Sequence, residues 1–174
     1  AETDICCTSA NAVKVVNSVS SKKVIFAPDR NLALYVQRFS DKEIIAYDGF
    51  CPTHTLIFAS TIKRVKAEHP NALLVVHPEC TPEVIDLADH VASTSGMYAF
   101  VKNSDADEFI IGTEAGILYR LRKENPRKTF YLASKRIICP NMKMTTLESL
   151  ADALRYTRHV VEVPEDIRVR AKRA

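Results

Sequence analysis

Leu73-Leu74-Val75-Val76-His77-Pro78-Glu79-Cys80-Thr81-Pro82-Glu83 is the stretch that decides the architecture. Four consecutive branched aliphatic residues make a short strand covered on both faces, as in a parallel sheet. Three polar or turn-forming residues then end it. Thr81-Pro82-Glu83 follows with an N-cap residue, a proline at the first helical position and an acid in the first turn. A strand that runs through a polar turn into a helix is half of a βαβ unit.

The same alternation extends in both directions. Strands are expected at Asp4–Cys7, Lys23–Ala27, Glu43–Tyr47, Leu73–His77, His90–Ala92, Glu108–Ile111 and Thr129–Leu132. Helical periodicity is carried by Ala12–Ser18, Leu32–Phe39, Thr55–Glu68, Pro82–Ala88, Ala115–Lys123 and Leu147–Arg158, the last opened by a capping box Thr145-x-x-Glu148. Parallel strands joined by crossover helices are therefore expected.

The pattern repeats. Asp4–Ser9 resembles Asp89–Ser95, Phe26–Asp29 with Leu34-Tyr35 resembles Ile111–Glu114 with Leu118-Tyr119, and Glu43–Tyr47 leading to Cys51 resembles Thr129–Leu132 leading to Cys139, at offsets of 86, 85 and 88 residues. The expected fold class is α/β, built as tandem three-layer αβα units with short parallel sheets related by this repeat. Residues 1–69 form the first unit, residues 70–160 the second and residues 161–174 a helical tail, with the boundary at Glu68-His69-Pro70-Asn71. The first residue is Ala1, and the chain reads as though entered midway, so a truncated N-terminus is expected.

Composition narrows the function class. A chain of 174 residues with 47% apolar residues can bury a core. Its longest apolar runs, Ala72–Val76 among them, are far short of the roughly 20 residues of a membrane helix, and no charged-then-apolar leader opens it; a soluble, cytoplasmic protein is expected. The net charge of +3 gathers at Arg168, Arg170, Lys172 and Arg173 and is not interleaved with aromatics, which argues against a nucleic-acid surface. Five widely spaced cysteines without a C-x-x-C pair are no disulfide framework and suit a reducing compartment. Four glycines assemble neither a P-loop nor a dinucleotide fingerprint.

Ligands of open α/β sheets collect beyond the carboxyl ends of the strands, so the residues after each strand are the ones to weigh. His77 and Glu79 emerge together at such an end, able to orient a polar ligand or move a proton. Capping of the next helix is the plain alternative. Ser9 and Thr94 occupy matching loops that feed helix N-termini and suit an anion, although N-capping is the commoner fate of such residues. Cys51 and Cys139 head matching Cys-Pro loops, and a thiolate cluster site is supplied from several loops in this way; a buried inert thiol is the alternative for each taken alone. Cys80 with His77 is a poor hydrolytic dyad, since the two share one loop. Cys6 and Cys7 are adjacent, so as strand residues they would face opposite ways.

Seven segments in order carry a family resemblance: Cys7-Thr-Ser-Ala-Asn-Ala12, Phe26-Ala-Pro-Asp-Arg-Asn-Leu32, Cys51-Pro-Thr-His54, His77-Pro-Glu-Cys80, Ser93-Thr-Ser-Gly-Met97, Ile111-Gly-Thr-Glu114 and Cys139-Pro-Asn-Met-Lys143. The chain resembles quinolinate synthase over nearly its whole length. The resemblance implies three similar α/β domains around a central cavity, of which this chain would hold most of the second and all of the third. It implies condensation of iminoaspartate with dihydroxyacetone phosphate to quinolinate in NAD biosynthesis, at a [4Fe–4S] cluster held by one cysteine per domain and acting as a Lewis acid. Cys51 and Cys139 match two cluster ligands; His77 and Glu79 match proton-handling positions, and Ser9, His77, Pro78, Glu79 and Thr94 match substrate contacts. L-aspartate oxidase or aspartate dehydrogenase is the implied source of iminoaspartate. The third cysteine, with a histidine and a tyrosine of the family's active site, would lie in a domain preceding Ala1. Ala33 stands where the family commonly has glycine, and Cys6 is an additional thiol.

Overall fold

The computed structural model describes residues 3–174. Residues Thr8–Ile138 form one compact unit, and the residues up to Cys7 join Cys139–Ala174 in another.

The larger unit contains two parallel sheets. Strands β1 (Lys23–Phe26) and β2 (Glu43–Ala46) pair in register, with Ile25 opposite Ile45. Strands β3 (Leu73–Val76), β4 (His90–Val91), β5 (Glu108–Gly112) and β6 (Thr129–Leu132) form a four-stranded parallel sheet in the order β4-β3-β5-β6. Around them lie α1 (Ala12–Ser18), α2 (Arg30–Gln37), α3 (Pro52–Thr55), α4 (Ala59–Glu68), α5 (Pro82–Ile85), α6 (Thr94–Asn103) and α7 (Ile117–Glu124).

Strand alternation assigns the helices to layers. Leu74, Val76 and Ile110 point to one face of the four-stranded sheet and meet Ile62 and Val65 of α4 and Val84 and Ile85 of α5. Val75, Phe109 and Ile111 point to the other and meet Met97 and Val101 of α6 and Leu118 and Leu121 of α7. Helix, sheet and helix thus make the three layers expected. At β1–β2 one face packs through Phe26, Val24 and Ile44 on α1 and α2, where Val16, Leu32 and Val36 are buried. On the opposite face Ile25 is 79% exposed and Ile45 47%.

The repeat is visible in the backbone. Tyr47 N–H donates to the Phe26 carbonyl as Ala133 N–H does to that of Ile111; Arg30 N–H donates to Gly49 as Ala115 N–H does to Ile137. One residue before β2, the Lys42 ammonium donates to the carbonyls of Val19 and Ser21 after α1. One residue before β6, Lys128 grips those of Val101 in the last turn of α6 and of Ser104 and Ala106 after it. Each lysine satisfies carbonyls that the preceding helix end or loop leaves without a ladder partner.

Several boundaries differ from expectation. Asp4–Cys7 is not a strand; it is exposed, and Cys6 N–H donates to the Ala174 carbonyl, because an extended pattern becomes a strand only beside a partner. The helix expected over Thr55–Glu68 begins only at Ala59, with Phe58 as its N-cap, and Thr55 is instead the last residue of α3. Helix α6 starts at Thr94, at the helix N-terminus expected after the loop that follows β4, although no helical span was assigned to it from sequence; Ser93 caps it by accepting from Gly96 N–H. In the smaller unit a 3₁₀ turn (Met142–Met144) precedes α8 (Leu147–Tyr156) and α9 (Glu165–Ala171). The capping box of α8 lies one residue later than expected, between Thr146 and Ser149, so Glu148 falls at the second helical position, one short of where a reciprocal bond is made. No described helix is long and apolar enough to cross a membrane.

Candidate active site and metal-ligand cluster

The carboxyl ends of β1, β2, β3 and β5 bring their following loops together. Asp29, buried after β1, accepts Leu32 N–H at one carboxylate oxygen and Cys51 N–H at the other, both at 2.7 Å. One carboxylate thereby starts α2 and fixes the thiol loop after β2. Asn31 Nδ2 donates to the Glu79 carbonyl at 3.1 Å, tying in the loop after β3. Thr113, directly after β5, meets His54 Nε2 through its hydroxyl at 2.9 Å.

Within this frame Cys51, His54 and Glu79 offer a sulfur, a nitrogen and an oxygen that all lie within 4.8 Å of one another. His54 Nδ1 is 3.1 Å from Glu79 Oε2 but outside hydrogen-bonding geometry, so this buried nitrogen has close charge and no formed bond. The His77 ring stacks on His54 with centroids 4.4 Å apart and planes at 14°. Glu79 N–H donates to His77 Nδ1 at 3.3 Å, and Glu79 Oε2 lies 3.8 Å from the same nitrogen.

Electrostatics divides the two imidazoles. Burial pushes His54 down, but the Cys51 thiol and the Glu79 carboxylate outweigh it and raise the ring to about 9. Burial, reinforced by the charge on His54, drives His77 down to about 4, so it is neutral, accepting at Nδ1 and free to donate from Nε2. The neighbouring His54 ring is the main cause that holds both the Cys51 thiol and the Glu79 carboxyl below their ordinary ranges. The cluster is therefore a nucleophilic or ligating thiol, a carboxylate, one charged and one neutral ring.

His77, Glu79 and Cys51 are thus brought together. Ser9 and Pro78 line a separate cavity of about 250 Å³, together with Ser93 and Tyr35. Thr94 is exposed at the first helical position, beside the cavity-lining Ser93. Cys139 is half-buried in the smaller unit, its carbonyl accepting from Lys143 N–H. Cys80 is fully buried, its thiol donates to the Gly112 carbonyl and burial pushes it up to about 12, which makes it inert as a nucleophile. His54, Asp29 and Thr113 were not selected from sequence. Their signals were present: His54 stands three residues after Cys51, and Asp29 and Thr113 directly follow strands.

The family model for "Quinolinate synthetase A protein" matches residues 1–174. Over 174 residues the chain is 60% identical to quinolinate synthase of Geobacter metallireducens and 53% identical to that of Methanosarcina barkeri, in each case covering 100% of this chain and 57% of the relative. It is 58% identical over 170 residues to quinolinate synthase of Thermodesulfovibrio yellowstonii, covering 97% of the chain and 56% of that protein. The chain spans a little over half the length of these curated relatives. With the whole length matched and the strand-end loops converging on one thiol, two imidazoles and a carboxylate, the chain belongs to the quinolinate synthase family.

Proposed function

We propose that the protein containing this chain condenses iminoaspartate with dihydroxyacetone phosphate to quinolinate in de novo NAD biosynthesis, a transferase reaction in the cytoplasm. Residues 1–69 and 70–160 are two of its repeated domains. The observation that carries the reading is the convergence of Cys51, His77 and Glu79 at the carboxyl ends of the parallel strands.

The family implies an iron–sulfur cluster. Cys51 fits one corner of it, as a half-buried thiol held below its ordinary pKa range. In this reading Cys139 supplies a second thiolate and a residue outside this chain the third, and the [4Fe–4S] group, when bound, supplies a Lewis acid. Neutral His77 donates from Nε2 to a substrate oxygen, and Glu79 takes a substrate proton at its carboxylate. Ser9 and Pro78 border the cavity that would take an anionic part of the substrate, with the Thr94 hydroxyl beside it. Iminoaspartate would be supplied by oxidation of aspartate, through L-aspartate oxidase or aspartate dehydrogenase.

The test is quinolinate formation by the full-length protein after anaerobic reconstitution with iron and sulfide. His77→Ala or Glu79→Ala should lower turnover by about 10²–10⁴-fold with iron content retained. Cys51→Ser should lose the iron as well. Near-normal quinolinate formation in either of the first two variants refutes the assignment.

A further inference from the structure

We infer that Asp29 and Asn31, on either side of Arg30 at the start of α2, are positioning residues that hold the cluster thiol Cys51 in register with the proton-handling Glu79. The inference rests on the proposed function, which gives Cys51 and Glu79 their roles, and adds the pair that fixes their relative placement.

Asp29 does more than begin a helix. An N-cap needs one acceptor, and Oδ1 supplies it to Leu32 N–H. Oδ2 reaches a different strand end and takes Cys51 N–H at 2.7 Å, a charge-assisted length, from a residue only 5% exposed. Asn31 is equally out of place as a plain helix residue, since asparagine is a weak helix former and this one is buried in the first turn of α2. Its Nδ2 donates to the Glu79 carbonyl at 3.1 Å, across 48 residues of sequence. Between them Arg30 N–H donates to the Gly49 carbonyl at 2.8 Å, and the Arg30 guanidinium pairs with Asp48. One three-residue turn therefore grips both the loop after β2 and the loop after β3.

The second repeat shows what the fold alone requires. The backbone contact is kept there, from Ala115 N–H to the Ile137 carbonyl. At the places of Asp29 and Asn31, 85 residues on, stand Glu114 and Gly116. The Glu114 carboxylate accepts Gly116 N–H within its own loop at 2.7 Å, and Gly116 has no side chain to reach a neighbouring loop. A strand–loop–helix turn of this design thus forms without the Asn31 bond. In the first repeat the additional bonds end on the two loops that carry the chemistry. Removing a group that orients a metal ligand typically weakens retention by about 10–100-fold, and a small displacement of a reacting group slows turnover by about 10²-fold.

The experiment uses the full-length protein with and without its reconstituted cluster. Asp29→Ser keeps one oxygen to cap α2 and releases Cys51 N–H. Iron should then pass to a chelator about 10–100-fold faster, with an altered electron paramagnetic resonance signal of the reduced cluster. In the cluster-free protein Cys51 should be alkylated at least about threefold faster, because its loop opens more readily. Asn31→Ala, a better helix former that cannot donate, should keep its iron and lose about 10–100-fold in kcat with KM changed less. Lys42→Met weakens the same small sheet through a contact remote from these loops and should leave every one of these readings at the parental value. Where circular dichroism shows a variant unfolded, Asp29→Asn or Asn31→Ser takes its place. Parental chelation and alkylation rates in Asp29→Ser, parental kcat in Asn31→Ala, or the same losses in Lys42→Met overturn the inference. A parent protein that forms no quinolinate instead refutes the proposed activity, and the role of Asn31 with it, while alkylation of Cys51 still decides the role of Asp29.

Discussion

The two parallel sheets of the larger unit share one local design and differ in what covers them. In the four-stranded sheet, α4 and α5 close one face and α6 and α7 the other, and Phe109, Ile110 and Ile111 of β5 are wholly buried. In β1–β2, only the face toward α1 and α2 is closed, and the paired Ile25 and Ile45 meet solvent. A continuous apolar strand therefore marks a sheet intended for two covers, while the number of covers is a property of the surroundings. Stability should concentrate in the fully covered sheet, since burial on both faces contributes about twice the apolar area per strand.

The largest test of that contrast is Phe109→Ala. This side chain is fully buried between α6, α7 and the β6 residue Phe130, so its removal should cost about 3–5 kcal/mol. Urea denaturation should show the midpoint falling; a loss below about 1 kcal/mol would mean that the covered sheet is not the stability centre. Hydrogen exchange should rank the amides of β3 and β5 well above those of β1 and β2 in the same sample.

The lysine grips offer a smaller and more direct comparison. Lys128→Met removes three ammonium–carbonyl bonds and should cost about 2–3 kcal/mol. Lys42→Met removes two in the half-covered sheet and should cost less, with chemical denaturation of both variants giving the order. Equal losses would show that the covering of the sheet does not influence its edge contacts.

Acid should act on the covered sheet through Asp89, which accepts Leu74 N–H and pairs with Lys66. Burial pushes this carboxyl up, but those two donors outweigh it and the net shift is downward. A group lower in the folded than in the unfolded state stabilises above its unfolded pKa and loses that contribution as pH falls through the folded value. Stability from this group should hold from neutrality to about pH 5 and decline below about pH 4, while Asp89→Asn flattens the decline by about 1 kcal/mol. An unchanged acid limb in that variant would remove Asp89 from the account. The smallest expected effect is Ile25→Ser, within about 0.5 kcal/mol because the residue is already 79% exposed. Light scattering should show reduced self-association in that variant, since an uncovered apolar strand face attracts others. A large stability loss would mean Ile25 is covered in solution.

Much of this was legible from residues alone. Each of β1 to β6 lies within one residue of its expected span at either end, because turn residues bound each apolar run. The start of α6 was legible at Thr94, but its span was not, because its glycine, aromatics and β-branched valine obscure the period and only Met97 and Val101 are buried. Its repeat counterpart α1, about 86 residues earlier, carried the missing signal. At the site, His77, Glu79 and Cys51 were legible from their positions after strands. His54 was not, since a histidine one turn beyond a cysteine becomes chemically distinctive only when the loops after β3 and β5 deliver Glu79 and Thr113 to its two ring nitrogens.

The matched lysines also speak to ancestry. Lys42 and Lys128 perform one task at corresponding points in two segments whose neighbouring side chains have otherwise diverged. A contact held in both halves of a duplicated gene belongs to the common forebear of the halves. If the two segments descend from one doubled unit, the ammonium grip predates the doubling. A reconstructed single-unit ancestor should carry a lysine immediately before its final strand.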